Sequence, residues 1–93
     1  SNPFSISLKK IDESATYLQT RVENDLDQIS NLEEALESGS VLPPIVVFLN
    51  HKTNLYEIAD GWHRFYAHKH QKKKTILAVG HEGGEKEALL YAL

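Results

Sequence analysis

Asp60-Gly61-Trp62-His63-Arg64 is the stretch of this chain whose residue types and order are best suited to chemistry. An apolar run (Leu55, Tyr56, Ile58, Ala59) precedes it, and a segment free of glycine and proline follows, so it reads as strand, glycine, helix. The first N–H groups of a helix have no partner inside it and lie at the positive end of its dipole. Such a junction is a natural place for an anion. Gly61 has no Cβ and lets a ligand or another backbone come close. His63 and Arg64 fall in the first turn as further donors, and an arginine can grip a phosphate through two bonds at once. Asp60 has two readings, a cap for its own helix or a ligand for a magnesium ion beside a phosphate. A capped helix with a surface histidine and arginine would show the same spacing.

Other chemistries are thinly supplied. The chain has no cysteine, which excludes disulfides, zinc-thiolate centres and thiol nucleophiles. Its five histidines form no ligand set. His68 and His70 are two apart on a helix and point in different directions, and His63 and His70 are nearly two turns apart. No metal centre is expected.

The elements that must position the junction follow from hydrophobic periodicity. Strands are predicted at Phe4–Leu8, Ile45–Leu49, Leu55–Ala59 and Thr75–Val79, and helices over about 25–38, 61–72 and 85–93. Phe4, Ile6 and Leu8 alternate with serines, whereas Ile45 to Leu49 is continuously apolar, as in a central strand. Asp12 to Arg21 has no period and reads as a connection. Asn24 or Asp25 can cap the first helix and Gly39 stops it. Leu42-Pro43-Pro44 enforces an extended entry into the second strand. The expected class is α/β (α+β): one small domain over residues 1–93, a mixed sheet of about four strands with three helices. The pattern at Leu93 stops without a cap, as in an N-terminal piece of a longer protein.

Several of these segments together resemble the ParB N-terminal/sulfiredoxin superfamily. They are Leu42-Pro43-Pro44-Ile45-Val46-Val47, Ile58 to Arg64, Ala67, and Lys74-Thr75-Ile76. Asp-Gly-Trp-His-Arg is similar to the Gly-Cys-His-Arg loop of sulfiredoxins and to the Asp-Gly-His-His-Arg loop of free-serine kinases. In ParB proteins the matching loop is Gly-Glu-Arg-Arg and binds the phosphates of CTP. The resemblance implies a nucleotide, CTP or ATP/ADP, with magnesium as an option, held by Asp60, Gly61, Trp62, His63 and Arg64. Gln28, Asn31 and Arg21 are the implied helpers from the preceding helix and its approach, though Arg21 can equally pair with Glu23 or Asp25. Trp62 stands where sulfiredoxins carry their cysteine, so sulfinic-acid repair is excluded. No catalytic residue is singled out.

Three functions compete. One is a regulatory domain that binds nucleotide while a further C-terminal segment contacts DNA. Another is an enzyme, a small-molecule phosphotransferase or a nuclease, for which Glu33, Glu34 and Glu57 are available as bases. The third is a protein-interaction domain with a vestigial pocket. On the 61–72 helix periodicity puts Trp62, Phe65, Tyr66 and Lys69 on one face. The resemblance instead turns Ala67 and Gln71 inward, and we follow it. That leaves an aromatic patch at Trp62, Phe65 and Tyr66 for a homodimer partner, a following segment or a stacked base.

Charge bears on the partner. The net charge is −3, with −5 over residues 1–44 and +2 over residues 45–93; Lys69, Lys72, Lys73 and Lys74 form the basic cluster. No apolar run approaches the ~20 residues that span a bilayer, no signal peptide is apparent, and the cytosol is the expected compartment. With so few cations to neutralise phosphates, the chain alone should bind duplex DNA weakly. A gel shift showing sub-micromolar binding at physiological salt would overturn that expectation.

Overall fold

The computed structural model describes residues 2–14 and 25–81. Strands β1 (Phe4–Ser7), β2 (Ile45–Asn50), β3 (Leu55–Asp60) and β4 (Thr75–His81) form one sheet. Its order is β1-β4-β2-β3. β2 runs parallel to β4, while β1 on β4 and β3 on β2 are antiparallel. The mixed sheet and the interior position of β2 agree with the class and the central strand read from the sequence. Helices α1 (Leu26–Glu37) and α2 (Trp62–His70) pack on it. Arg21 and the predicted helix over 85–93 lie outside the described residues.

The sheet curls until its two edges approach. Phe4 on β1 and Tyr56 on β3 bring their ring centroids within 6.1 Å. A 3-10 turn, Leu8–Lys10, carries the chain from one edge to the other. There Ile11 bridges Tyr56 and the Asp12 N–H donates to the Tyr56 carbonyl at 2.8 Å. Leu8 therefore belongs to this turn and not to β1, because its carbonyl accepts the Ile11 N–H at 3.2 Å and closes the turn.

On the concave side Ile6, Ile45, Val47, Ile58, Ile76 and Ala78 meet Ile29 and Leu36 of α1 and Phe65 and Ala67 of α2. A smaller cluster of Phe48, Ala59 and Val46 occupies the opposite face of β2 and β3. α1 and α2 contact each other through Asp25–His63, Glu33–His70 and Glu37–Gln71. These pairs ascend together in sequence, so the two helices run in the same direction.

This packing corrects the expected aromatic patch. Trp62, Phe65 and Tyr66 are 4%, 0% and 4% exposed, and none is available to a homodimer partner or a stacked base. Trp62 lies flat on Tyr66 at 5.9 Å and edge-on to Phe65 at 5.7 Å. Periodicity was the better guide. Ala67 is buried too, so the apolar face of α2 is wide enough to include both sets. Gln71 is partly exposed and donates to Glu37 at 3.0 Å.

Both helices end in the same hydrogen-bonded motif. In α1 the Ser40 N–H reaches Ala35 O and the Gly39 N–H reaches Leu36 O, with Gly39 at φ 89°. In α2 Lys73 reaches His68 O and Lys72 reaches Lys69 O, with Lys72 at φ 57°. A left-handed glycine marks the first stop, whereas nothing in the composition marks the second, so α2 is shorter than predicted. Left-handed backbone costs a residue with a Cβ about 1 kcal/mol. Lys72→Gly should accordingly raise stability by about that much, read as a higher urea midpoint at unchanged slope. An unchanged midpoint would show that this cap carries no strain.

Candidate functional site

The junction between β3 and α2 begins with a bulge. Val46 pairs with Asp60 but Val47 pairs with Ile58, so Ala59 is an extra residue on β3. The bulge re-aims the chain as it leaves the sheet. Gly61 then adopts φ 114°, ψ 22° as the N-cap of α2. A Cβ there would lie 2.8 Å from the Cβ of Ile45, itself fully buried, so neither the dihedral nor the space admits another residue. The close neighbour that glycine permits is thus the first residue of β2.

Arg64 takes a different part from the one expected. Its Nη1 donates to the carbonyls of Pro43 at 3.0 Å and Pro44 at 2.8 Å, and its Nη2 to Asp60 Oδ2 at 3.3 Å. The side chain is only 18% exposed. Pro43-Pro44 lies outside the sheet, so these carbonyls need an outside donor. Arg64 supplies it and joins the entry of β2 to the exit of β3. Asp60 is correspondingly not a helix cap. Its side chain is 64% exposed and faces Arg64, and no side chain caps α2.

His63 reaches across to the other helix. Its Nε2 lies 3.0 Å from Oδ2 of Asp25, the N-cap residue of α1. Asp25 occupies the capping position without a side-chain capping bond, because its carboxylate is turned to His63. The starts of two helices running in the same direction are therefore side by side, and neither is closed by a side chain. Each carries roughly half a positive charge on its free N–H groups. Here the backbone N–H groups of Trp62, His63 and Arg64 meet two exposed carboxylates, Asp25 and Asp60, and one accessible imidazole. Backbone donors at a helix start are chemistry suited to a phosphate, while the two carboxylates are turned to His63 and Arg64.

Asp60, Gly61, Trp62, His63 and Arg64 are brought together as the sequence suggested. Trp62 contributes its backbone only; its indole N–H is buried with no hydrogen-bond partner among the described residues. Gln28 and Asn31 are exposed on α1, and their side chains make no hydrogen bond among the described residues. Asp25 was legible only as a cap, since nothing local announces a histidine thirty-eight residues away. No group of three or more potential metal ligands occurs among the described residues.

His68 supports the junction from one turn further on. Its Nδ1–H donates to Arg64 O at 2.6 Å. Burial holds its pKa below the ordinary 6.5, helped by the positive charges of Lys73 and Arg64, while the bond to the Arg64 carbonyl acts in the opposite sense. The folded protein thus binds the His68 proton less readily than the unfolded chain. Its contribution to stability is present above pH 6.5 and is lost as pH falls below that value. The stability difference between wild type and His68→Asn, which keeps a donor near Nδ1, should shrink between about pH 7 and about pH 5. Urea midpoints measured across that range test this, and parallel profiles would contradict it.

A family model described as ParB N-terminal domain matches residues 4–93. Among solved structures, sulfiredoxin from Arabidopsis thaliana superposes with a TM-score of 0.78 at 20% identity, covering 100% of this chain and 99% of that one. The truncated chromosome-partitioning protein ParB from Caulobacter crescentus, complexed with CTP-gamma-S, gives 0.78 at 19% identity over 99% of this chain and 51% of its own. A Pnob8-like ParB-N domain gives 0.74 at 20%, covering 98% of this chain and 34% of that one. In sequence, the chain is 32% identical over 86 residues to the pre-mRNA-splicing ATP-dependent RNA helicase prp28 of Schizosaccharomyces pombe. It spans 13% of that helicase.

Proposed function

The chain belongs to the ParB N-terminal domain family, and from that premise we propose that it binds a nucleotide through its phosphates at the paired starts of α1 and α2. The observation that carries this reading is the contact of His63 with Asp25, which sets two uncapped helix N-termini beside each other. The Caulobacter ParB, which shares the fold, is complexed with CTP-gamma-S, and that favours CTP over the adenine nucleotides as the first ligand to test. In this reading the backbone N–H groups of residues 62–64 hold the phosphate and His63 adds a side-chain donor. Arg64 acts mainly by fixing the loop, since two carbonyls and Asp60 already occupy its guanidinium. Asp25 and Asp60 would face magnesium if the nucleotide brings it.

Nucleotide binding serves a regulatory role in this proposal, with DNA contacted chiefly by other parts of a longer protein. The phosphotransferase and nuclease readings need a base near the loop. Glu33 pairs with His70 and lies eight residues along α1 from Asp25, about 12 Å away, Glu34 lies one residue further, and Glu57 is buried in β3. None of the three is placed for that work.

Isothermal titration of CTP, ATP and ADP, each with and without magnesium, tests the proposal. At least one should bind, and His63→Ala should weaken it about tenfold, the loss of one charge-assisted hydrogen bond. The exposed His63–Asp25 pair is worth under about 1 kcal/mol to the fold, so this variant remains folded. No heat from any nucleotide at about 1 mM would remove the reading.

A further inference from the structure

Away from the loop, where α2 has ended and the 3-10 turn leaves β1, lies a groove of about 420 Å³ lined by Ser7, Leu8, Lys9, Lys73 and Lys74. Its three lysines arrive from two separate parts of the chain. Lys73 and Lys74 follow the last turn of α2, and Lys9 follows β1. The Ser7–Thr75 pairing and the Leu8 N–H bond to Lys74 O fasten the two segments together. The C-terminal dipole of α2 accounts for cations on that helix but not for Lys9, which the sheet brings in.

None of these cations is neutralised within the described residues. Lys69 is paired with Glu13 at 2.7 Å, whereas Lys9, Lys73 and Lys74 have no carboxylate partner there. Lys73 acts at a distance on His68, helping to lower its pKa. Ser7 Oγ accepts the Lys9 N–H at 3.2 Å and keeps its own proton to donate. In a chain of net charge −3, three lysines without a carboxylate partner among the described residues and a hydroxyl donor line a groove of the opposite sign to the molecule.

We propose that this groove is a second binding site, distinct from the α1–α2 site, for the phosphodiester backbone of nucleic acid. Lysines are point charges without the planar fork that reads base edges, so the contact is independent of sequence. It neutralises about three phosphates, which makes it weak at physiological salt and useful only beside stronger contacts elsewhere in a longer protein. It adds a contact on this domain to any DNA contact made by a following segment, and it accords with weak binding by the chain alone.

The test is fluorescence anisotropy of labelled duplex DNA and, separately, single-stranded DNA of arbitrary sequence, titrated with the whole 93-residue chain. Measured from about 50 to about 200 mM salt, duplex binding should show a log–log slope near about −2.7. The double variant Lys73→Gln/Lys74→Gln should flatten it by about 1.8, whereas Lys52→Gln, on the turn between β2 and β3, should leave it unchanged. A slope near about −2.1 on the single strand, with the tighter affinity, would identify that form as the ligand. An unchanged slope in the lysine variant would overturn the proposal. So would a loss per lysine as large with Lys52→Gln, no binding of either DNA at about 50 mM salt, or binding of inorganic polyphosphate alone.

Discussion

Where β3 passes into α2, the backbone of Gly61 runs directly against the side chain of Ile45, and the remainder of the architecture is arranged around that approach. The contact brings the exit of one strand to the entry of another, and it requires a left-handed residue with no Cβ. Arg64 then secures the same two segments with polar bonds, because Pro43 and Pro44 precede the sheet and leave their carbonyls to an outside donor. A buried apolar contact and a partly buried guanidinium therefore enforce one geometry from opposite chemical sides. Both contacts hold the helix start against the entry of β2.

That rigidity bears on how the junction can act. Backbone N–H groups make a useful phosphate cradle only if they point at one place before the ligand arrives. The bulge at Ala59, the dihedral of Gly61 and the Arg64 bonds supply this pre-organisation. The cost is that Arg64 is largely spent. In the proposed function recognition therefore rests on the backbone and on His63, whose partner in this structure is a carboxylate.

The two faces of α2 divide the labour. Trp62, Phe65, Tyr66 and Ala67 close the core, whereas His63, His70 and Gln71 stitch the helix to α1 through polar pairs. α1 and α2 share one core through Ile29, Leu36, Phe65 and Ala67, and the polar pairs line the seam along which both helix starts lie together. The resemblance misjudged the aromatic residues because it treated a buried Ala67 as excluding a buried Trp62 and Phe65. A short helix between a sheet and a second helix is covered over more than half its girth, and both sets fit inside.

The strands, the two described helices, the central place of β2 and the Asp60–Arg64 junction were legible in the sequence. β-branched runs, proline pairs and a glycine between strand and helix act locally, and local chemistry is written in neighbouring residues. The end of α2 at Lys72 was not, since a left-handed residue other than glycine leaves no compositional mark. Nor were the partners of the site residues. That Arg64 would turn to Pro43 and Pro44, His63 to Asp25, and Lys9 to the flank of Lys73 and Lys74 depends on segments far apart in the chain. Residue types set what each side chain is able to bind. Only the packing of the curled sheet against two co-directional helices decided which partner came within reach.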